Sequence, residues 1–218
     1  MKSCVIISGG RLDVQFASEF IEQEKPQMII AADKGLRFCK ETGILPTQIV
    51  GDFDSLGEGV LSEYEEMGIP IRRFHPVKDA TDTEIAVRLG MELGAEKITI
   101  VGASEGNRLD HLFGNVMTMI IPQKEGIDCF LLDAHNRARV LLKPLEIDRR
   151  DQYGTYVSFL PMTSRVEGVT LRGFKYPLTD ACFSVEESGS LGVSNEISEE
   201  TAKVDFREGI LLMLECRD

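Results

Sequence analysis

The sequence predicts two domains of different class: a mainly parallel, Rossmann-like α/β unit over residues 1–134, then a small all-β sandwich or barrel over residues 135–218. Three observations predict this. As far as about residue 134, short apolar runs of strand length alternate with amphipathic segments of helical period. Beyond that point strand-like runs continue but helical periodicity stops. The chain has 218 residues, 43% of them hydrophobic, enough to bury one large core or two small ones.

In the first part the strand candidates are "CVIIS" (4–8), "MIIAA" (28–32), "QIVG" (48–51), "IPIRRF" (69–74), "KITIVG" (97–102) and "DCFLLD" (128–133). Between them lie "VQFASEFIEQE", "KGLRFCKETG", "LSEYEEMG", "DTEIAVRLGMELG" and "LDHLFGNVMTMI", with apolar residues three and four apart, several ending at glycine. Strands interleaved with helices in this way read as parallel crossovers. In the second part "RARVLL", "TYVSFL", "GVTLRGF", "ACFSVE", "AKVDF" and "GILLMLEC" are strand candidates separated by Gly, Pro, Ser, Thr and Asn, with no helix among them. The link "DAHNRAR" is short.

Charge excludes some partners. With 24 basic and 36 acidic residues the formal charge is −12, which disfavours nucleic acid and anionic membrane surfaces. If phosphates are handled, local cations or a bound metal must do it. Cys4, Cys39, Cys129, Cys182 and Cys216 are scattered and odd in number, so neither a disulfide frame nor a zinc site is expected. The amino terminus has too short an apolar run for a signal peptide, and no run of 18 apolar residues occurs. A soluble, cytoplasmic protein is expected.

In open parallel sheets ligands collect outside the carboxyl ends of the strands, and the unusual polar residues fall there. "SGGRLD" follows the first strand, Asp33 and Lys34 the second, "GDFDS" the third, "HPVKDATDTE" the fourth and "GASEGNRLDH" the fifth. "SGG" either cradles a phosphate on backbone N–H groups or makes a tight turn. In "GDFDS", Asp52 and Asp54 are spaced to share one side of extended chain, where like charges repel unless a cation neutralises them. Adjacent oxygen ligands of this kind suit Mg²⁺.

In "KDATDTE", Thr81 and Glu84 match a capping box that starts a helix, which leaves Lys78, Asp79 and Asp82 as more charge than a cap requires. Lys78 is a candidate phosphate ligand and Asp82 a third member of the metal cluster. Arg108, at a helix amino terminus after the turn "SEGN", offers a planar fork to phosphate oxygens. Asp110 suits the helix dipole, and His111 taken alone reads as an amphipathic filler. His75 and His135 have no partners at metal-ligand spacing.

The set "GDFDS", "KDATDTE" and "GNRLDHLFGN", in this order and spacing, with "GFKYPL" (173–178) and "GVSNEI" (192–197) in the trailing β domain, resembles the thiamine pyrophosphokinase family over nearly the whole chain. The resemblance implies Mg²⁺-dependent transfer of the pyrophosphoryl group of ATP to the hydroxyl of thiamine, giving thiamine diphosphate and AMP. It implies Asp52, Asp54 and Asp82 around the metal with Asp33 at the edge. It further implies Lys34, Lys78, Thr81, Arg108 and His111 toward ATP, Asp79, Asp82, Arg108 and Asp110 in catalysis, and Ser194 and Asn195 in the thiamine pocket. Nucleotide and metal would sit on the α/β domain, and a homodimer with shared active sites is expected. Two departures stand out: Lys34 and Gly35 occupy places where relatives commonly carry glycines, and the chain has no tryptophan. Phe174 and Tyr176 are the aromatic candidates to replace it.

Overall fold

The computed structural model describes residues 1–53, 58–74, 80–106 and 108–218, so Asp54, His75, Lys78 and Asp79 lie outside the described residues. The chain divides into two compact units, Met1–Ala134 and His135–Asp218.

The first unit runs β1 (Ser3–Ile7), α1 (Val14–Glu24), β2 (Met28–Ala32), α2 (Gly35–Thr42), β3 (Gln48–Gly51), α3 (Glu58–Glu66), β4 (Ile71–Arg73), α4 (Asp82–Glu92), β5 (Lys97–Val101), α5 (Leu109–Thr118), α6 (Ile120–Lys124) and β6 (Asp128–Leu132). All pairings are parallel, in the order β4-β3-β2-β1-β5-β6. The chain therefore grows outward from β1 on one side, then reverses and adds β5 and β6 on the other. The mixed α/β class is as expected. The strand order is not that of the Rossmann dinucleotide fold, which places three strands on each side of its reversal.

Local chemistry accounts for the helix ends. Asp13 caps α1 by accepting the Phe16 N–H at 3.0 Å, and Lys25 closes it in left-handed conformation. Thr81 caps α4 through the Glu84 N–H at 3.2 Å, as anticipated. The Glu84 carboxylate meanwhile pairs with Arg88 at 2.7 Å. The expected helix over 109–120 is instead two, α5 and α6. Pro122 falls in the first turn of α6, where a missing N–H disrupts no intrahelical bond.

The second unit carries β7 (Asn136–Leu141), β8 (Leu145–Asp148), a 3₁₀ turn at Arg149–Asp151, β9 (Tyr156–Pro161), β10 (Arg165–Arg172), β11 (Leu178–Ser184), β12 (Gly192–Asn195), β13 (Thr201–Asp205) and β14 (Leu211–Cys216). Two antiparallel arrays form, β12-β9-β14-β7 and β11-β10-β13-β8. Their inner faces share one core: Val157, Phe159, Leu211 and Met213 from the first, Val169, Leu171, Phe183 and Val204 from the second. This is the sandwich alternative rather than the barrel. The strands β8 and β12 were not expected, since each is only four residues long and sits between turn residues. Phe174 packs edge-on against Phe159 at 5.6 Å and is a core residue, so it is no ligand platform. Tyr176 remains 57% exposed.

A buried charge in this unit is closely paired. Glu215 on β14 is 1% exposed and takes the Arg137 fork at 2.6 and 2.8 Å and the Tyr153 N–H at 3.1 Å. Arg217 covers the Tyr153 ring at 4.5 Å. Among the described residues no helix is long and apolar enough to cross a membrane.

Candidate active site

The direction of growth reverses between β1 and β5, and the carboxyl ends of the strands at such a reversal are the place where open α/β sheets hold ligands. A cavity of about 670 Å³ occupies it, a size that suits a small organic ligand. Its walls are the segments Ser8–Arg11, Ala32–Lys34, Thr81–Thr83 and Gly102–Gly106, with the first two turns of α5.

Asp33 follows β2 in left-handed backbone, φ 44°, with its N–H bonded to Val50 O at 2.8 Å. Burial first, then the charges of Asp82 and Asp52, push its carboxyl above the ordinary aspartate value. Asp33 at the end of β2 thus feels the charges of Asp52 after β3 and Asp82 at the start of α4. Among the described residues no three acidic, histidine or cysteine side chains converge closely enough to hold a metal ion. Asp54, expected to complete the set, lies outside them. The donor chemistry nonetheless fits Mg²⁺, which takes one or two carboxylates beside waters and substrate phosphates.

The extended chain expected from Asp52 to Asp54 is interrupted at Phe53, and Asp54 itself lies outside the described residues. Phe53 has φ 62° and is 5% exposed, a costly conformation for a bulky residue. Its ring lies against Gly51, with the Arg73 guanidinium 5.8 Å from the ring centre. Strain of this kind next to carboxylates is a mark of a functional turn.

The "SGG" loop resolves toward the turn. Gly10 N–H bonds to Gly102 O at 2.8 Å and Arg11 N–H to Glu105 O at 3.2 Å, so those donors fasten two loops together. A Cβ on Gly10 would stand 2.5 Å from Gly102 O. Gly35 is equally required: a Cβ there would meet Ile7 O at 2.0 Å, because α2 packs directly onto β1. Lys34 beside it is exposed at the start of α2 and reaches the crevice.

Thr81, Asp82, Arg108 and His111 all line the cavity. Arg108 is gripped by Asp110 on two points, Nε to Oδ1 at 2.8 Å and Nη2 to Oδ2 at 2.5 Å. That grip lowers the Asp110 carboxyl to about 2. Asp110 thus orients the guanidinium, whose remaining N–H groups are left to a ligand. Two buried polar pairs were not anticipated. Ser8 and Thr83 share a hydroxyl bond of 2.7 Å that ties the start of α4 to the end of β1, beside Asp82. Asn115 Nδ2 donates to Ala103 O at 2.9 Å and holds the β5–α5 loop against α5. A polar residue on the buried face of α5, as Asn115 is, was the available signal.

In the second unit Ser194 and Asn195 play different parts. Asn195, 4% exposed, accepts the N–H groups of Tyr176 and Glu196 at 3.0 and 2.9 Å and donates to Tyr176 O at 2.8 Å. Its amide is occupied in shaping the loop. Ser194 is exposed with φ 59°, and its N–H is held by Ser158 Oγ at 3.0 Å. Its hydroxyl is the one presented outward.

An α/β domain with a ligand crevice of mixed cations and carboxylates at its sheet reversal, joined to a β-sandwich, defines the class: a two-domain enzyme that works on a small charged ligand. Residues 21–131 match the family described as thiamin pyrophosphokinase, catalytic domain, and residues 144–211 the family described as thiamin pyrophosphokinase, vitamin B1 binding domain. The chain is 32% identical over 220 residues to thiamine pyrophosphokinase of Bacillus subtilis, with all of both chains covered. Among solved structures, the Bacillus subtilis enzyme superposes with a TM-score of 0.86 at 27% identity over 100% of both chains. That of Geobacillus thermodenitrificans gives 0.82 at 32%, covering 99% of this chain and 98% of its own. The chain belongs to the thiamin pyrophosphokinase family, enzymes of the diphosphotransferase type.

Proposed function

We propose that this protein transfers the pyrophosphoryl group of ATP to the hydroxyl of thiamine in a Mg²⁺-dependent reaction, yielding thiamine diphosphate and AMP. The observation that carries the reading is that both modules of the family match, while the crevice of the first brings together Asp33, Asp82, Lys34, Thr81, Arg108 and His111.

The chemistry is largely positioning and electrostatics. A triphosphate repels an approaching alcohol unless its charge is withdrawn. Arg108, oriented by Asp110, and Lys34 meet phosphate oxygens, with Lys78, which precedes α4 in the sequence, assigned the same task. Thr81 accepts the Glu84 N–H and keeps a hydroxyl proton to donate. His111, in the first turn of α5, adds a further donor. Asp52, Asp54 and Asp82 would hold Mg²⁺, with Asp33 beside them. When bound, the ion neutralises phosphate charge and aligns attack with the departing AMP oxygen. Asp79 or Asp82 accepts the alcohol proton. Ser194 contacts thiamine from the β domain, with Asn195 holding the adjoining loop.

A homodimer with shared active sites belongs to the same proposal. Along α5, Leu109, Phe113 and Met117 are 69%, 63% and 53% exposed at a four-residue interval, an apolar stripe that association would bury. Five free cysteines suit a reducing cytoplasm.

The test is AMP release from ATP and Mg²⁺ with thiamine present or omitted. Thiamine-dependent AMP with thiamine diphosphate as co-product is expected. Phosphate or ADP in its place would discard the transfer.

A further inference from the structure

Two arginines reach the crevice, and the carboxylates that meet them hold them very differently. Arg108 is fixed by Asp110 through two short hydrogen bonds. Arg11, on the loop after β1, faces Glu105 on the loop after β5 at 3.8 Å, Nε to Oε2, beyond hydrogen-bond reach. The backbones of this second pair are nevertheless locked: Arg11 N–H donates to Glu105 O at 3.2 Å, and the two residues form an antiparallel bridge. Only the side chains have latitude. The Arg11 side chain is 82% exposed and that of Glu105 38%. An exposed ion pair of this length contributes little, so an arriving anion displaces Glu105 from Arg11 at little cost. The planar guanidinium then meets phosphate oxygens two at a time.

Charge along the wall says when this happens. Among the described residues the cavity lining includes the cations Arg11, Lys34 and Arg108 and the carboxylates Asp33, Asp82 and Glu105. Glu105, the carboxylate that meets Arg11, adds repulsion toward a bare polyphosphate at this part of the wall. We infer that Arg11 is a phosphate-binding residue of the nucleotide site, restrained by Glu105 in the free protein, and that Glu105 sets the crevice against polyphosphate that carries no metal. This rests on the nucleotide reading above.

The experiment is equilibrium binding by calorimetry on the full chain, wild type, Arg11→Gln and Glu105→Gln. The probes are ATP with Mg²⁺ and inorganic tripolyphosphate without it, with thermal melting alongside. Arg11→Gln should weaken ATP binding roughly three- to tenfold, and Glu105→Gln should strengthen metal-free tripolyphosphate binding by a similar factor, with melting temperatures within about 2 °C of wild type. If the pair merely fastens two loops, both variants move binding in the same direction and lower the melting temperature together, which overturns the inference. Unchanged ATP binding in Arg11→Gln, or unchanged tripolyphosphate binding in Glu105→Gln, also overturns it. A wild-type protein that does not bind ATP removes the nucleotide reading and this inference with it, whereas wild-type binding with uniform variants removes this inference alone.

Discussion

Both units contain shielded carboxylates, and they are treated in opposite ways. In the β-sandwich Glu215 is enclosed and answered in full by the Arg137 fork and the Tyr153 N–H. In the α/β unit Asp33 is half-buried within the field of two further aspartates, Asp52 and Asp82, and its proton affinity rises accordingly. A buried charge that is fully paired is tolerated by the fold, and removing its partner is what costs stability. Like charges crowded at strand ends are disfavoured for folding and are expected where a cation or substrate completes the set. The contrast separates architecture from chemistry within one chain.

The largest effect should come from the crowded aspartates. Asp52→Asn and Asp82→Asn are each expected to lower turnover by on the order of a thousandfold, while melting temperatures hold or rise because repulsion on Asp33 is relieved; Asp54→Asn is expected to lower turnover to a similar degree. Activity within a few-fold of wild type in purified variants would remove these residues from the metal site. Glu215→Ala should do the reverse. It removes the carboxylate partner of the partly buried Arg137, which keeps the Asp151 carbonyl and the Tyr153 ring, and a loss of about 3 kcal/mol in urea unfolding is expected, with turnover per folded molecule retained. A catalytic defect without a stability defect there would break the comparison.

Asn195→Ala falls between these extremes. It removes three hydrogen bonds that shape the Tyr176 loop beside Ser194, so about 2 kcal/mol of stability and a several-fold rise in KM for thiamine are expected together. An unchanged KM would leave that loop purely structural. The smallest effect is expected of Asp110→Asn, which loosens Arg108 and lowers turnover several-fold. Because the folded Asp110 carboxyl titrates at about 2, below the usual value near 4, the ion pair is complete above about pH 4 and lost only as pH falls toward 2. Asp110→Asn should therefore depress activity by one constant factor across pH 5 to 9. A factor that varies with pH in that window would show that Asp110 exchanges a proton during turnover.

Much of this was legible in the chain itself. Five of the six parallel strands keep their sequence-read bounds within one residue, since fully buried strands read as continuous apolar runs. The fourth shrank to Ile71–Arg73 at the sheet edge. Thr81 and Asp110 announced helix starts through capping and dipole chemistry that acts within one turn. The strands β8 and β12 were illegible because four residues between turns carry no period, and α6 because proline is judged by position in a helix that must first be known to exist.

Sequence alone determined the two-domain division of pattern, the residue types gathered at successive strand ends and the motif set, because period and local hydrogen bonding act over a few residues. Only the tertiary structure decided which loops meet. It used the N–H groups of Gly10 and Arg11 to fasten the β1 loop to the β5 loop, placed Phe53 in left-handed backbone, and buried Asn195 while leaving Ser194 exposed. Those outcomes depend on contacts between segments tens of residues apart, and on backbone turns whose cost only the surrounding packing can offset.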